Sequence, residues 1–188
     1  MSETSQLPLR LALLCVAATL VQIAAISQVS VFGVNADLTP LVVAFAGFLC
    51  GAVGGAGAGF GMGLLLDLAL VQTLGVSSLI YTLVGYGTGR LRELRAPQST
   101  LTPLAVGAAA TAAGTIGYSV IEFLLGVSAP VSFLLARQIL ATILLNTVIS
   151  LPVFTLVRRW LAPALPDDPR RRRRRTYTTG GLSPLSRG

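Results

Sequence analysis

Glycines recur at every fourth position from Gly47 to Gly63 (Gly47, Gly51, Gly55, Gly59, Gly63), with Gly54, Gly57 and Gly61 between them. The run closes on Leu64-Leu65-Leu66-Asp67, which leaves one carboxylate inside a segment of apolar and small side chains. In water this would be a poor helix, because each interior glycine costs about 1 kcal/mol relative to alanine. In a bilayer the same pattern is favourable. Small residues at four-residue spacing let helix backbones approach closely, and the backbone has no water to turn to. The pattern predicts an integral membrane bundle with one buried acid.

Charge supports this. Only 11% of the 188 residues are charged, and the mean hydropathy is +0.77. Ordinary soluble domains carry about 25% charged residues. Residues 1–157 hold five arginines (Arg10, Arg90, Arg92, Arg95, Arg137) and five acids (Glu3, Asp37, Asp67, Glu93, Glu122), which cancel. Residues 158–188 hold nine arginines against Asp167 and Asp168, which accounts for the whole net charge of +7. A neutral apolar body with a basic tail suits a membrane protein whose C-terminus faces the cytoplasm. The chain has no histidine, so it lacks the commonest metal ligand and general base. Cys15 and Cys50 lie inside apolar stretches and read as small hydrophobes, not as a disulfide or a catalytic thiol. No Ser-His-Asp set, metal-ligand spacing or phosphate loop is present, and no cofactor is expected.

A membrane helix needs about 20 mostly apolar residues. Leu9 to Val31 supplies the first span. A cleaved signal peptide is the alternative reading, but the apolar run is long and lacks a small-x-small cleavage site. Asn35-Ala36-Asp37-Leu38-Thr39-Pro40 reads as a turn and a helix start, with Asp37 or Thr39 as cap and Pro40 in the first turn. No basic side chain then appears until after Leu74. One helix over residues 40–74 would be about 52 Å long, against a hydrocarbon core of about 30 Å. It must break, and Gly54-Gly55-Ala56-Gly57 is the cheapest place for a turn. The expected spans are 9–31, 40–56, 58–74, 76–91, 102–125 and 132–157, followed by a basic, disordered tail from 161 to 188. Trp160 beside Arg158 and Arg159 fits a membrane edge. The arginines at 90–95 and those after Arg158 are two spans apart, so they share a side, taken as the cytoplasm. Both termini then lie inside, and the regions of Asp37 and Pro130 face outward.

Asp67 is placed near the middle of the third span, where a carboxylate costs about 2.5–3.5 kcal/mol on insertion scales. Thr19, Gln22, Thr111, Thr115 and Asn146 lie at comparable depth and are candidates for a hydrogen-bonded cluster around it. Such a cluster either glues helices together or meets a partner or a transported species. Glu122 and Arg137 flank the outer loop and are a candidate ion pair, with snorkelling to the surface as the other possibility. The five glycines of the ladder are packing candidates. Successive four-residue steps drift about 40° around a helix, so they are not expected to form one straight seam. Arg170, Arg171, Arg172, Arg173, Arg174 and Arg175 fit contact with anionic lipid, at about 1 kcal/mol each near the surface. With no aromatic platform beyond Tyr177, specific nucleic-acid binding is not expected.

The stretch Gly59-Phe60-Gly61-Met62-Gly63-Leu64-Leu65-Leu66-Asp67-Leu68, then Leu74-Gly75-Val76 and Gly85-Tyr86-x-x-Gly89-Arg90, resembles the bacterial rod shape-determining protein MreD family. Its signature falls here on Gly63, Leu64, Asp67, Gly75, Gly85 and Tyr86. The resemblance is sharp over residues 37–95 and hydropathic elsewhere. It implies an all-α polytopic bundle of six transmembrane helices, similar to the S components of energy-coupling-factor transporters. It also implies a non-enzymatic plasma-membrane component of the cell-elongation complex. Such a component would bind the scaffold MreC and, through it, MreB, RodA and a class B penicillin-binding protein. The alternative is a vitamin-binding S subunit, with Asp67 and Asn146 lining the ligand pocket and Ala12, Ala17 and Ala24 docking the coupling subunit. A proton-coupled carrier would rest on Asp67 alone.

Overall fold

The computed structural model describes residues 6–26, 30–31, 34–35, 37–71, 73–94, 101–126 and 133–165. Among these are six α-helices: α1 (Gln6–Val21), α2 (Leu38–Cys50), α3 (Ala52–Ala69), α4 (Val76–Leu94), α5 (Thr102–Leu124) and α6 (Phe133–Leu161). A π-helical turn, Gln22–Ile26, extends α1, and a two-residue antiparallel pair (Ser30–Val31 with Val34–Asn35) precedes α2. Four helical stretches are long and apolar enough to cross a membrane: Gln6–Ala24, Ala52–Ala69, Thr102–Leu124 and Leu135–Ala164. The apolar helix Leu38–Cys50 is shorter. The arginine tail, Arg170 to Arg175, lies outside the described residues.

The 40–74 stretch does break, but at Gly51 and not at Gly54–Gly57. Gly51 has φ 87° and ψ 179°, a conformation open to glycine and strained for any residue with a Cβ. Gly54 to Gly57 remain inside α3.

At the centre stands α2, which packs against α1, α3, α4, α5 and α6. Leu41, Val43, Ala44, Phe45 and Ala46 are each 0% exposed, so this helix is apolar all round because protein surrounds it all round. Phe45 meets Phe154 of α6 edge to face, with centroids 5.2 Å apart. Leucines of the outer helices, among them Leu13, Leu20, Leu83, Leu144 and Leu156, face outward, as expected of side chains whose solvent is lipid.

The tightest packing joins α3 and α4. A methyl group on Gly55 would strike the Gly85 carbonyl, one on Gly59 the Tyr81 carbonyl, and one on Gly63 the Ser78 backbone. From the other side, Gly85 abuts Gly55, and Gly89 abuts Gly51 and Ala52. Three ladder glycines thus form a continuous antiparallel contact, because rows of residues four apart are natural ridges along which two helices cross. Gly47 lies on α2 and reaches Gly85 and Thr88 from there. Gly51, the remaining member, forms the turn. Gly57 and Gly61 face open space.

Alanine at Gly59 or Gly63 must push backbone aside, at about 1–3 kcal/mol each. Alanine at Gly57 or Gly61 is expected to stay within about 0.5 kcal/mol of wild type. Thermal-unfolding midpoints of the four variants in one detergent check this contrast.

Candidate functional site

A helix whose ends pack against neighbouring helices must find partners for its first N–H and last C=O groups. At the N-terminus of α2 this requirement draws five side chains together. Asp37 is the cap, and its Oδ1 accepts from the Thr39 N–H at 2.9 Å. The Leu38 N–H donates to Gln22 Oε1 at 2.9 Å. Asn146, on α6 and 0% exposed, holds the Asp37 backbone from both sides. Its Oδ1 accepts the Asp37 N–H at 3.2 Å, and its Nδ2 donates to the Asp37 carbonyl at 2.7 Å. That Nδ2 also donates to Thr111 Oγ1 on α5 at 3.1 Å. The Tyr81 hydroxyl of α4 donates to Asp37 Oδ2 at 3.2 Å. Burial pushes the Asp37 carboxyl above its ordinary value, against the lowering effect of the Thr39 and Tyr81 hydrogen bonds.

Gln22, Thr111 and Asn146 therefore do converge, but at the start of the central helix and not on Asp67: Gln22 meets the Leu38 N–H, Asn146 the Asp37 backbone, and Thr111 meets Asn146. Thr115 donates back to the Thr111 carbonyl of its own helix at 2.8 Å, and Thr19 to the Cys15 carbonyl at 2.8 Å. Tyr81 is the member that sequence reasoning missed. Its only signal is an aromatic hydroxyl one turn into a helix that starts at the same end.

Asp67 is 1% exposed and lies two residues before the end of α3, not at the middle of a span. Its Oδ2 accepts the Gly75 N–H at 2.8 Å. Gly75 has φ +94°, and the intervening Val71 has φ 52°. The carboxylate clasps the connection between α3 and α4, which explains an acid eight residues before a glycine. Asp67 Oδ1 is buried without a hydrogen-bond partner among the described residues.

Glu122 accepts from the Tyr118 hydroxyl one turn earlier on α5, whereas Arg137 is exposed on α6. Of the remaining signature residues, Gly63 and Gly85 are in the α3–α4 contact, Leu64 is half-buried and Tyr86 is 47% exposed. Cys15 and Cys50 are both free thiols. No group of three metal-ligating side chains occurs among the described residues.

The opposite end carries the arginines. Arg92 donates to the Leu49 carbonyl at the C-terminus of α2, where a cation also meets the negative end of the helix dipole. Arg10 and Trp160 tie α1 to α6 reciprocally: Trp160 Nε1 donates to the Arg10 carbonyl at 3.2 Å, and Arg10 donates to the Trp160 carbonyl at 3.4 Å. One pole of the bundle is thus acidic and hydroxyl-rich, and the other basic.

With this arrangement in view, comparison with known families is decisive. The model of the rod shape-determining protein MreD family matches residues 4–160. The chain belongs to the MreD family. It is accordingly a cell-shape-related membrane protein. No curated protein sequence and no solved structure matches the chain significantly.

Asp67→Ala leaves the Gly75 N–H without an acceptor and is expected to cost about 1–3 kcal/mol. Asp67→Asn keeps an acceptor oxygen and should lose less than half of that, as read by unfolding midpoints. For Asp37 the folded state holds the proton more tightly than the unfolded chain does. Its contribution to stability therefore falls as pH rises from the ordinary value of 3.8 through the raised folded value. Asp37→Asn retains the cap and should remove that slope from a pH series of thermal melts.

Proposed function

We propose that this protein is a non-enzymatic component of the bacterial cell-elongation complex, acting in the plasma membrane as a docking subunit for an MreC-like scaffold. Through that scaffold it would join MreB, RodA and a class B penicillin-binding protein, and help to position or regulate peptidoglycan synthesis. The family match over residues 4–160 carries this reading.

The topology proposed with it is six crossings with both termini in the cytoplasm. Two observations support it. Arg10, Arg92, Arg158 and Arg159 lie at or near helix ends that contact one another through the Arg10–Trp160 and Arg92–Leu49 bonds, and arginine-rich ends stay in the cytoplasm. The short helix α2 together with α4 then completes a set of which four members are long and apolar enough to span. The similarity to S components of energy-coupling-factor transporters is proposed for helix arrangement only. In the vitamin-binding reading Asp67 and Asn146 would line a ligand pocket, yet both are turned to backbone groups, Gly75 and Asp37.

Affinity purification of the tagged protein from native membranes, with partners identified by mass spectrometry, tests the assignment. A single-span coiled-coil scaffold recovered with cell-wall synthases is the expected result. Recovery of two ATPases with a membrane coupling subunit would overturn it. In the same assay Asp67→Ala, which releases the α3–α4 turn, should lower scaffold recovery, and Asp67→Asn, which keeps an acceptor for the Gly75 N–H, should lower it less.

A further inference from the structure

Between α4, α5 and α6, at the acidic pole, lies a cavity of about 250 Å³. At about 30 Å³ per water it holds roughly eight waters or one small organic group. It goes beyond the polar cap that α2 requires, since Glu122, Ser119, Gln138 and Thr142 line it without touching the α2 backbone.

The chemistry of its wall is one-sided. Each hydroxyl that faces it has its proton committed elsewhere. Thr115 donates to the Thr111 carbonyl at 2.8 Å, Ser119 to the Thr115 carbonyl at 2.9 Å and Thr142 to the Gln138 carbonyl at 3.0 Å. Tyr81 donates to Asp37 at 3.2 Å, and Tyr118 donates to Glu122. What these groups still present is lone pairs. Two carboxylates, Asp37 and Glu122, add to them, and no basic side chain is among the described residues of the lining. Only the Gln138 amide retains donors. An occupant must therefore supply N–H groups, and positive charge is favoured by both acids.

We propose that this cavity binds a primary ammonium group, presented either by the head of an ethanolamine phospholipid or by a free small amine. Three N–H donors on one cationic centre match a wall of acceptors arranged on three helices. An inorganic cation lacks that directionality, and a neutral diol lacks the charge. Binding here is independent of the scaffold partner, so the cavity adds a ligand to the assembly role without resting on it.

The full-length protein in detergent, melted against ethanolamine hydrochloride, tests this. Sodium chloride of equal ionic strength and ethylene glycol are the controls. A saturable rise in the midpoint with ethanolamine alone is expected. Half-saturation should weaken at least about tenfold in Glu122→Gln, the loss of one charge-assisted hydrogen bond, and the rise should vanish in Ser119→Leu, which fills the space. Ser119→Leu keeps both acids and so carries the test if Glu122→Gln does not fold. Equal shifts with sodium chloride or glycol, or an undiminished ethanolamine shift in Ser119→Leu, overturn the proposal. Native mass spectrometry of protein from mixed phosphatidylethanolamine and phosphatidylglycerol vesicles then separates the sources. Retained phosphatidylethanolamine assigns the headgroup, and an ethanolamine shift without retained lipid assigns the free amine.

Discussion

The 13 residues of α2 make a helix of about 20 Å, shorter than the hydrocarbon core of about 30 Å. Its end residues, Leu38, Leu49 and Cys50, are half-buried against neighbouring helices, where a bare backbone group is costly. Most of the polar arrangement follows from that constraint. Gln22 reaches in from the end of α1, Asn146 from α6 and Tyr81 from α4, all toward the first turn or its cap. Arg92 reaches from α4 to the last turn. A helix with no polar side chain beyond Thr39 is held in place by the polar side chains of its neighbours. Three of those neighbours are tied to one another in the process.

The second constraint is steric. With glycine at 55, 59 and 63, α3 lies backbone to backbone against α4, and Asp67 fastens the turn between them through the Gly75 N–H. The acid and the ladder belong to one device. The glycines set how closely the two helices approach, and the clasp sets where the chain reverses. Burial of the Asp67 side chain makes its bond to the Gly75 amide worth more than it would be at a surface. That is a physical reason for a costly buried acid that needs no transported proton.

Much of this was legible beforehand, unevenly. The glycine spacing and the lack of charge identified a membrane bundle with close helix contacts, because both signals depend on local composition. The need for a break between residues 40 and 74 followed from length alone. Its position did not, since Gly51 differs from Gly54 and Gly57 only by its place relative to α4 and Arg92. Gln22, Thr111 and Asn146 were recognisable as polar residues out of place, and they do meet. Their meeting place, the Asp37 cap and the Leu38 N–H, read as an ordinary helix start, because a sequence does not reveal which helices surround it. Charge complementarity across the loop likewise said nothing about Tyr118, which donates to Glu122 from four residues away on the same helix.

The central claim is that both ends of α2, half-buried at Leu38 and at Leu49–Cys50, are capped by neighbouring helices. Hydrogen–deuterium exchange of the full-length protein in lipid nanodiscs tests it most directly. The amides of Leu38 and Thr39 are expected to exchange as slowly as those in the middle of α2. The first turn of α5, which has no side-chain cap among the described residues, should exchange far faster. Rapid exchange of Leu38 and Thr39, at rates like those of the α5 first turn, would contradict the account.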